Sequence, residues 1–219
     1  NLNNFWRKIQ GTDGDGEGVD MEIEFALAIQ DENGDCTPGI NRVNMSLVDY
    51  EYVNNGVEWS SGGIGIPKNT LKESSRWDPE KYYNVWVVNK IEGENCDYND
   101  GDYIGGYANY AESHGNPYDG SVVLVCNFLE DSDITWAHEM GHAFNLFHTF
   151  DGDDFGGCGD DGIFDTPMHD RTFSYWACNS NDSNDCDPNF NVQMSPTHIG
   201  NGTHQDHIHN YMNYSGCQS

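Results

Sequence analysis

The sequence predicts an α+β fold with an upper lobe of strands around one clear helix and an irregular lower lobe. Three observations favour this arrangement. Short apolar or alternating segments recur through residues 21–126, apolar residues and histidines follow at helical spacing over 132–147, and Gly, Asp, Asn and Ser dominate the chain after 150. A length of 219 residues suits one catalytic domain, 1–219. We expect its upper lobe to cover about 1–145 and its lower lobe about 146–219.

The charge balance excludes several classes of partner. Nine Lys and Arg residues against 37 Asp and Glu residues give a net charge of −28. Nucleic acid and anionic membrane surfaces would be repelled, so neither is an expected partner. No apolar run approaches the roughly 18 residues of a membrane span, so we expect no membrane insertion. The sequence leaves the oligomeric state open.

Four segments of the upper lobe have strand character. The segment 21–29 alternates between apolar and acidic side chains over 21–25 and then becomes fully apolar, which predicts a half-buried strand. Residues 82–88 are β-branched and aromatic and predict a buried strand. A short edge strand is expected at 106–110 and a central strand at 122–126.

The helix that follows carries metal-binding chemistry. Ser132 or Asp133 can cap its N-terminus. His138 and His142 are about 40° apart around a helix and roughly 6 Å apart along it, so both imidazoles can reach one cation. Glu139 can lean over the open position of that metal. This is the H-E-x-x-H arrangement of two zinc ligands and a general base.

His148 can be a third ligand only if the helix ends before it. On a continuous helix it would be rotated by about 240° from His142 and could not share the metal. Asn145 is the candidate for the helix stop, because Asn tolerates the left-handed backbone region best after Gly. A chance helix with surface histidines is the alternative interpretation, and the third histidine disfavours it.

Beyond this motif, the chain resembles the metzincin metallopeptidases, and within them the pappalysin family, over roughly residues 20–217. The segments that carry the resemblance are the histidine motif at 138–148, WDP at 77–79, YNVWV at 83–87, GYA at 106–108, DTP at 165–167 and NYMNY at 210–214. The resemblance implies a mixed, mostly parallel twisted sheet above the active-site helix. It also implies that Met212 is the hydrophobic floor beneath the metal and that Tyr214 is an extra ligand or oxyanion helper. At Asn145 the family usually has glycine.

The seven cysteines, none of them in a CxxC pair, indicate disulfides and therefore secretion to an oxidising compartment. The resemblance implies two crossed bonds in the lower lobe, Cys158–Cys186 and Cys178–Cys217. Among the remaining cysteines we expect the pair Cys36–Cys96. Cys126 lies in an apolar run and is expected to be a buried thiol.

A calcium site is the expectation for the Gly- and Asp-rich loop after the histidine motif. Calcium takes oxygen ligands from flexible loops, and the resemblance places structural calcium near the DTP segment. The candidate ligands are Asp160, Asp161, Asp165 and Thr166. A solvated acidic loop without an ion is the alternative.

The sequence therefore predicts a secreted zinc metalloendopeptidase that acts on a protein or peptide substrate. Three neutral imidazoles leave tetrahedral zinc one position for water, and Glu139 would take the proton of that water. The substrate would lie extended along the edge strand at 106–110. A catalytically silent extracellular module stabilised by zinc or calcium is the alternative, which the presence of Glu139 disfavours. A gluzincin site is excluded, because its third ligand is a later glutamate and no Glu follows Glu139.

Overall fold

The computed structural model describes residues 2–15, 18–96, 104–129, 133–152, 158–163, 166, 168 and 210–214. The helices are α1 (Leu2–Trp6), α2 (Glu51–Asn55), α3 (Lys68–Glu73), α4 (Val125–Leu129) and α5 (Thr135–Ala143). The strands are β1 (Val85–Val88), β2 (Gly106–Ala108) and β3 (Ser121–Leu124). None of the described helices has the length and apolarity that a bilayer crossing requires.

A mixed sheet organises the described part of the upper lobe. The strand β3 is central, with β1 parallel on one side and β2 antiparallel on the other. All four residues of β3 are buried, as expected of a short apolar run in a central strand. The strand β2 has β3 as its one neighbour among the described strands and forms the edge. These positions confirm the predicted α+β class.

Two apolar clusters fix the helices around the sheet. The larger one packs Leu71 of α3 against Val122 and Leu124 of β3. The smaller one packs α1 against α5 through residues that include Phe5 and Met140. The α5 helix begins at Thr135, whose N–H donates to the Asp133 carboxylate at 2.7 Å, and Ser132 lies outside the described residues. The helix that carries the histidines is therefore held between α1 and the sheet.

The segment 21–29 forms no strand, so that prediction is wrong. The alternating pattern nevertheless predicts correctly which side chains are partly buried, because Ile23 and Phe25 pack on the cluster between α1 and α5. In place of a strand, the side chain of Asn3 bonds both backbone groups of Phe25. Its Oδ1 accepts the N–H at 2.7 Å and its Nδ2 donates to the carbonyl at 2.9 Å. One amide side chain thus substitutes locally for a β ladder.

The expected Cys36–Cys96 bond is also wrong. Cys96 is bonded to Cys126, with Cα atoms 5.8 Å apart, and Cys36 is an exposed free thiol. The cause is the end of β3 at Leu124, which puts Cys126 in the first turn of α4 instead of inside the strand. An apolar run alone does not show where a strand ends.

Much of the lower lobe lies outside the described residues. This applies to Asp165 and to three of the cysteines in the predicted pairs, Cys178, Cys186 and Cys217. Cys158 is described and is disulfide-bonded. The division of the chain into lobes at residue 145 stays a prediction.

The loop 59–65 is organised by one carboxylate. Glu92 accepts the backbone N–H groups of Trp59 at 2.7 Å, Ser60 at 3.2 Å and Ile64 at 2.6 Å. Partial burial alone would raise the pKa of Glu92, but these three donors outweigh it and hold the pKa below its ordinary value. The ionised carboxylate therefore stabilises the loop.

We expect Glu92→Ala to lower the free energy of unfolding by about 1–3 kcal/mol, because three amides lose a charged acceptor. Since the folded-state pKa is lowered, the stabilisation is present above the unfolded-state pKa and is lost as the pH falls through the folded-state pKa. Urea unfolding of wild type and variant between pH 7 and pH 3 measures the difference, which should shrink on acidification. Glu94→Ala, at an exposed glutamate on the same turn, is the control. Equal stability of the two variants at pH 7 would contradict the assignment.

Candidate metal centre

Three imidazoles converge at the end of α5. His138 and His142 project from the helix and His148 comes from the chain beyond it. Their Nε2 atoms form a triangle with sides of 3.2, 3.1 and 3.1 Å. Nitrogen ligands of tetrahedral zinc, at about 2.0–2.1 Å from the ion, lie roughly 3.3 Å apart. The donor set and its spacing therefore fit zinc.

Asn145 reverses the chain between the second and third histidines. Its φ is 70°, in the left-handed region. The Leu146 N–H donates to the Gly141 carbonyl at 2.9 Å and the Asn145 N–H to the His142 carbonyl at 2.8 Å. These two bonds are the Schellman pattern that ends helices. The turn directs the following chain so that His148 returns to the other two imidazoles.

Backbone carbonyls orient two of the imidazoles. His138 Nδ1 donates to the Tyr211 carbonyl at 2.6 Å and His142 Nδ1 to the Leu146 carbonyl at 2.8 Å. Because a carbonyl only accepts, each Nδ1 carries the proton and each Nε2 keeps its lone pair for a metal. Burial, followed by the proximity of His142, lowers the pKa of His138 to about 4. Burial also lowers the pKa of His142. Burial therefore favours the neutral form of both rings, which is the form that can bind a metal.

Glu139 is a buried carboxylic group beside this triangle. It is 5% exposed, burial raises its pKa to about 8, and its Oε2 has no hydrogen-bond partner in the described part of the chain. A Cβ atom at Gly106 of β2 would lie 3.1 Å from Glu139 Cγ and 2.9 Å from the Val122 carbonyl oxygen. Glycine therefore allows the edge strand to lie directly against Glu139. An unpartnered buried carboxylate fits a site that takes a cation and a water.

A tight turn places Met212 beneath the helix. Asn210 accepts the Met212 N–H through its side chain at 2.9 Å and the Asn213 N–H through its carbonyl at 3.0 Å. Met212 is 5% exposed, and a Cβ at Gly141 would collide with its sulfur. The small residue between the two helical histidines thus lets the methionine pack against the helix backbone.

Aromatic rings enclose the imidazoles. The Tyr214 ring lies 4.7 Å from His148 and 5.5 Å from His138, between ring centroids, and Tyr214 is 39% exposed. Phe150 stacks on His148 at 5.0 Å, and the Tyr110 ring meets His142 edge-on at 5.2 Å. No spacing pattern in the sequence links Tyr110 or Phe150 to the histidine motif, so their contacts with the imidazoles were not predicted. Only the folded chain brings them there.

The calcium candidates that the structure describes are Asp160, Asp161 and Thr166. Asp160 accepts the Gly162 N–H at 2.8 Å and Asp161 accepts the Ile163 N–H at 2.9 Å, as in a tight turn. Within the described ranges, the histidine trio is the one group of three or more metal-ligating side chains that converges. A calcium site in this loop therefore stays a prediction.

Comparisons with known proteins agree with this geometry. A sequence model of the peptidase family described as pregnancy-associated plasma protein-A matches residues 67–219. The structure of mirolysin in complex with compound 9 superposes with a TM-score of 0.67 at 25% identity, over 99% of this chain and 74% of that one. Mature mirolysin of Tannerella forsythia in complex with a cleaved peptide gives a TM-score of 0.61 at 26% identity, over 99% and 74%. No curated protein sequence is significantly similar to the chain.

The turn at Asn145 predicts how substitutions there affect metal binding. Asn145→Gly should bind zinc as wild type does. Asn145→Val should lose about 1–2 kcal/mol of stability and much of its zinc affinity, because a β-branched residue is strained at positive φ. Urea unfolding and zinc content after dialysis measure the two effects. Asn54→Val, at an exposed helical residue of α2, is the matched control. Zinc binding by Asn145→Val equal to that of the control would contradict the role of the turn.

Proposed function

The chain belongs to the pregnancy-associated plasma protein-A family of peptidases, and we propose that it is a secreted zinc endopeptidase that hydrolyses peptide bonds in proteins. The observation that carries the proposal is the Nε2 triangle beside the buried, unpartnered carboxylate of Glu139. Mirolysin, which has a similar fold, has been captured with a cleaved peptide. The bonded pair Cys96–Cys126 supports an oxidising, extracellular location.

His138, His142 and His148 are the proposed zinc ligands. They would offer three imidazole nitrogens, the set that leaves a tetrahedral ion one exchangeable position. Zinc bound there would polarise the substrate carbonyl and lower the pKa of a bound water. The carbonyls of Tyr211 and Leu146 keep two of the rings in the tautomer that this requires.

Glu139 is the proposed general base. Beside a bound cation its carboxylate is ionised despite its burial, because a nearby positive charge favours the charged form. It takes a proton from the attacking water and then delivers that proton to the amine of the leaving peptide. Met140, the next residue on α5, anchors the same helical turn in the apolar cluster.

The edge of β2 that no described strand covers is the proposed binding surface for the backbone of the substrate. Gly105 and Asn109 point their backbone groups to the side of β3, since the Gly105 carbonyl accepts from the Leu124 N–H at 2.8 Å and the Asn109 N–H donates to the carbonyl of Gly120, the residue before β3, at 3.3 Å. By the alternation of an antiparallel ladder, the backbone groups of 106 and 108 point away from β3. An extended peptide can add to that edge as a further strand and pass beside Glu139.

Further residues receive supporting roles in the proposal. The Tyr214 ring lies against His138 and His148, and its hydroxyl would donate a hydrogen bond to the developing oxyanion. Met212 supports the metal ligands from below, and Asn145 sets the return of His148. Calcium in the loop of Asp160, Asp161, Asp165 and Thr166 would neutralise clustered carboxylates. A silent binding module would not require the buried acid at Glu139, so the enzyme is the better account.

Replacement of the base gives the first functional test. We expect Glu139→Ala to retain one zinc per chain and to lose roughly 10²–10⁴-fold in kcat for casein, since only the proton transfer is removed. Metal analysis and release of acid-soluble casein fragments measure the two quantities. Glu112→Ala, at an exposed glutamate in the turn after β2, should behave as wild type. Undiminished cleavage by Glu139→Ala would contradict the proposed base.

Metal removal gives the second test. Treatment with o-phenanthroline should abolish casein cleavage, and one equivalent of zinc should restore it, whereas calcium alone should not. His148→Ala should lower the zinc content with little change in fold, because this ligand lies outside α5. Full activity of a metal-free preparation would contradict a zinc mechanism.

A further inference from the structure

The strand β2 separates the metal centre from a second cavity. Gly106 faces α5, as its closeness to Glu139 shows, whereas the Tyr107 side chain points to the opposite face, where its hydroxyl donates to the Glu58 carbonyl at 3.2 Å. The cavity lies on that opposite face, and its lining includes Lys68, Lys72, Tyr107 and Asn109. It therefore adjoins the edge along which a peptide would lie.

A buried ammonium group forms one wall of this cavity. Lys72 is 2% exposed, and its Nζ donates to Asn109 Oδ1 at 2.8 Å, to the Tyr118 carbonyl at 2.7 Å and to the Gly120 carbonyl at 3.5 Å. All three acceptors are neutral, and Lys72 belongs to none of the salt bridges among the described residues. Burial lowers its pKa to about 8, with Asp119 acting in the opposite direction. The positive charge here is thus not neutralised by direct contact.

A second ammonium group lies one helical turn away. Lys68 Nζ donates to the Trp59 carbonyl at 3.3 Å and also takes part in no salt bridge of the described chain. The carboxylates near it are occupied by backbone amides. Glu58 accepts the N–H groups of Gly62 at 3.0 Å and Lys68 at 3.2 Å, and Glu92 holds the loop 59–65. Lys68 therefore retains N–H donors that no described side chain accepts.

We propose that this cavity is a substrate subsite for an acidic side chain, Asp or Glu. The inference rests on the proposed peptidase function, which it deepens by naming a substrate preference. Two of only nine basic residues meet here in a chain of net charge −28. Lys72 occupies Asn109 Oδ1, so the amide of Asn109 keeps its NH₂ group as a donor toward a carboxylate. The remaining donors of Lys68 and the amide of Asn109, together with the positive charge of Lys72, suit a carboxylate better than a neutral or basic group.

Strand alternation restricts the preference to one position of the substrate. Residues directly opposite each other in a β ladder have their side chains on the same face. The peptide residue paired with Tyr107 therefore points to Lys68 and Lys72. The residues before and after it point to α5 and the metal centre, where no lysine lies among the described neighbours. A general attraction for acidic peptides would act at every position instead.

Paired peptides provide the test. Quenched fluorescent peptides carry Glu or Gln at each position around the scissile bond in turn, and kcat/KM is measured at low salt. We expect the Glu peptide to be cleaved about tenfold faster than its Gln partner at a single position. Lys68→Met should reduce that ratio to within about twofold. Lys90→Met is the matched control, because Lys90 is also a partly exposed lysine that donates to a backbone carbonyl, that of Asn54 at 2.7 Å, and it should keep the wild-type ratio.

Binding to metal-loaded Glu139→Ala, followed by fluorescence anisotropy of the same peptides, separates the two hypotheses. Cleavage of the Gln series with no gain for Glu at any position overturns the subsite and leaves the peptidase function standing. A Glu preference that persists in Lys68→Met also overturns it. If neither series is cleaved but Glu139→Ala binds the Glu peptide more tightly in a Lys68-dependent way, the subsite is supported and the peptidase function is overturned.

Discussion

The reversal of the chain at Asn145 is the constraint on which the metal centre depends. A helix that continued past it would carry His148 to the far side and leave two ligands. The hydrogen bonds of the turn also serve the site. The Leu146 N–H ends the helix on Gly141, and the Leu146 carbonyl accepts from His142 Nδ1. The same reversal over residues 141–146 therefore ends the helix, brings His148 back to the other two imidazoles and fixes the tautomer of His142.

Two close backbone approaches complete the site around that turn. Gly141 lets Met212 pack against the helix from one side, and Gly106 lets β2 lie against Glu139 from another. A side chain at Gly141 would push Met212 away from α5, and a side chain at Gly106 would push β2 away from Glu139. The turn that carries Met212 also supplies the Tyr211 carbonyl to His138, so the floor and the orientation of the first ligand come from one short segment. The site is thus assembled mainly by contacts that depend on the geometry of the backbone.

The sequence predicts well what depends on local geometry. The spacing of His138 and His142 needs only the helical repeat, and the choice of Asn145 as helix stop needs only backbone sterics; its observed φ is 70°. The prediction fails where the outcome depends on distant partners. Phe25 finds a side chain of Asn3 instead of a strand, and Cys126 bonds to Cys96 because β3 ends two residues earlier. The aromatic contacts of Tyr110 and Phe150 are of the same kind, since each joins segments whose proximity no periodicity encodes.

The hydrogen-bond partners of the carboxylates explain why two lysines of this acidic chain do not form salt bridges with described residues. Carboxylates such as Glu92 and Glu58 are turned inward onto backbone amides, where they organise the loop 59–65 instead of pairing with lysine. Lys68 and Lys72 consequently lie beside β2 without a salt bridge to any described carboxylate. The repulsion from a net charge of −28 acts over long distances and is screened beyond about 10 Å at 0.1 M salt, whereas a contact inside a partly desolvated cavity is screened much less. At the proposed subsite, an acidic substrate residue would therefore gain its main interaction after the encounter, next to the edge strand that is proposed to hold the peptide beside Glu139.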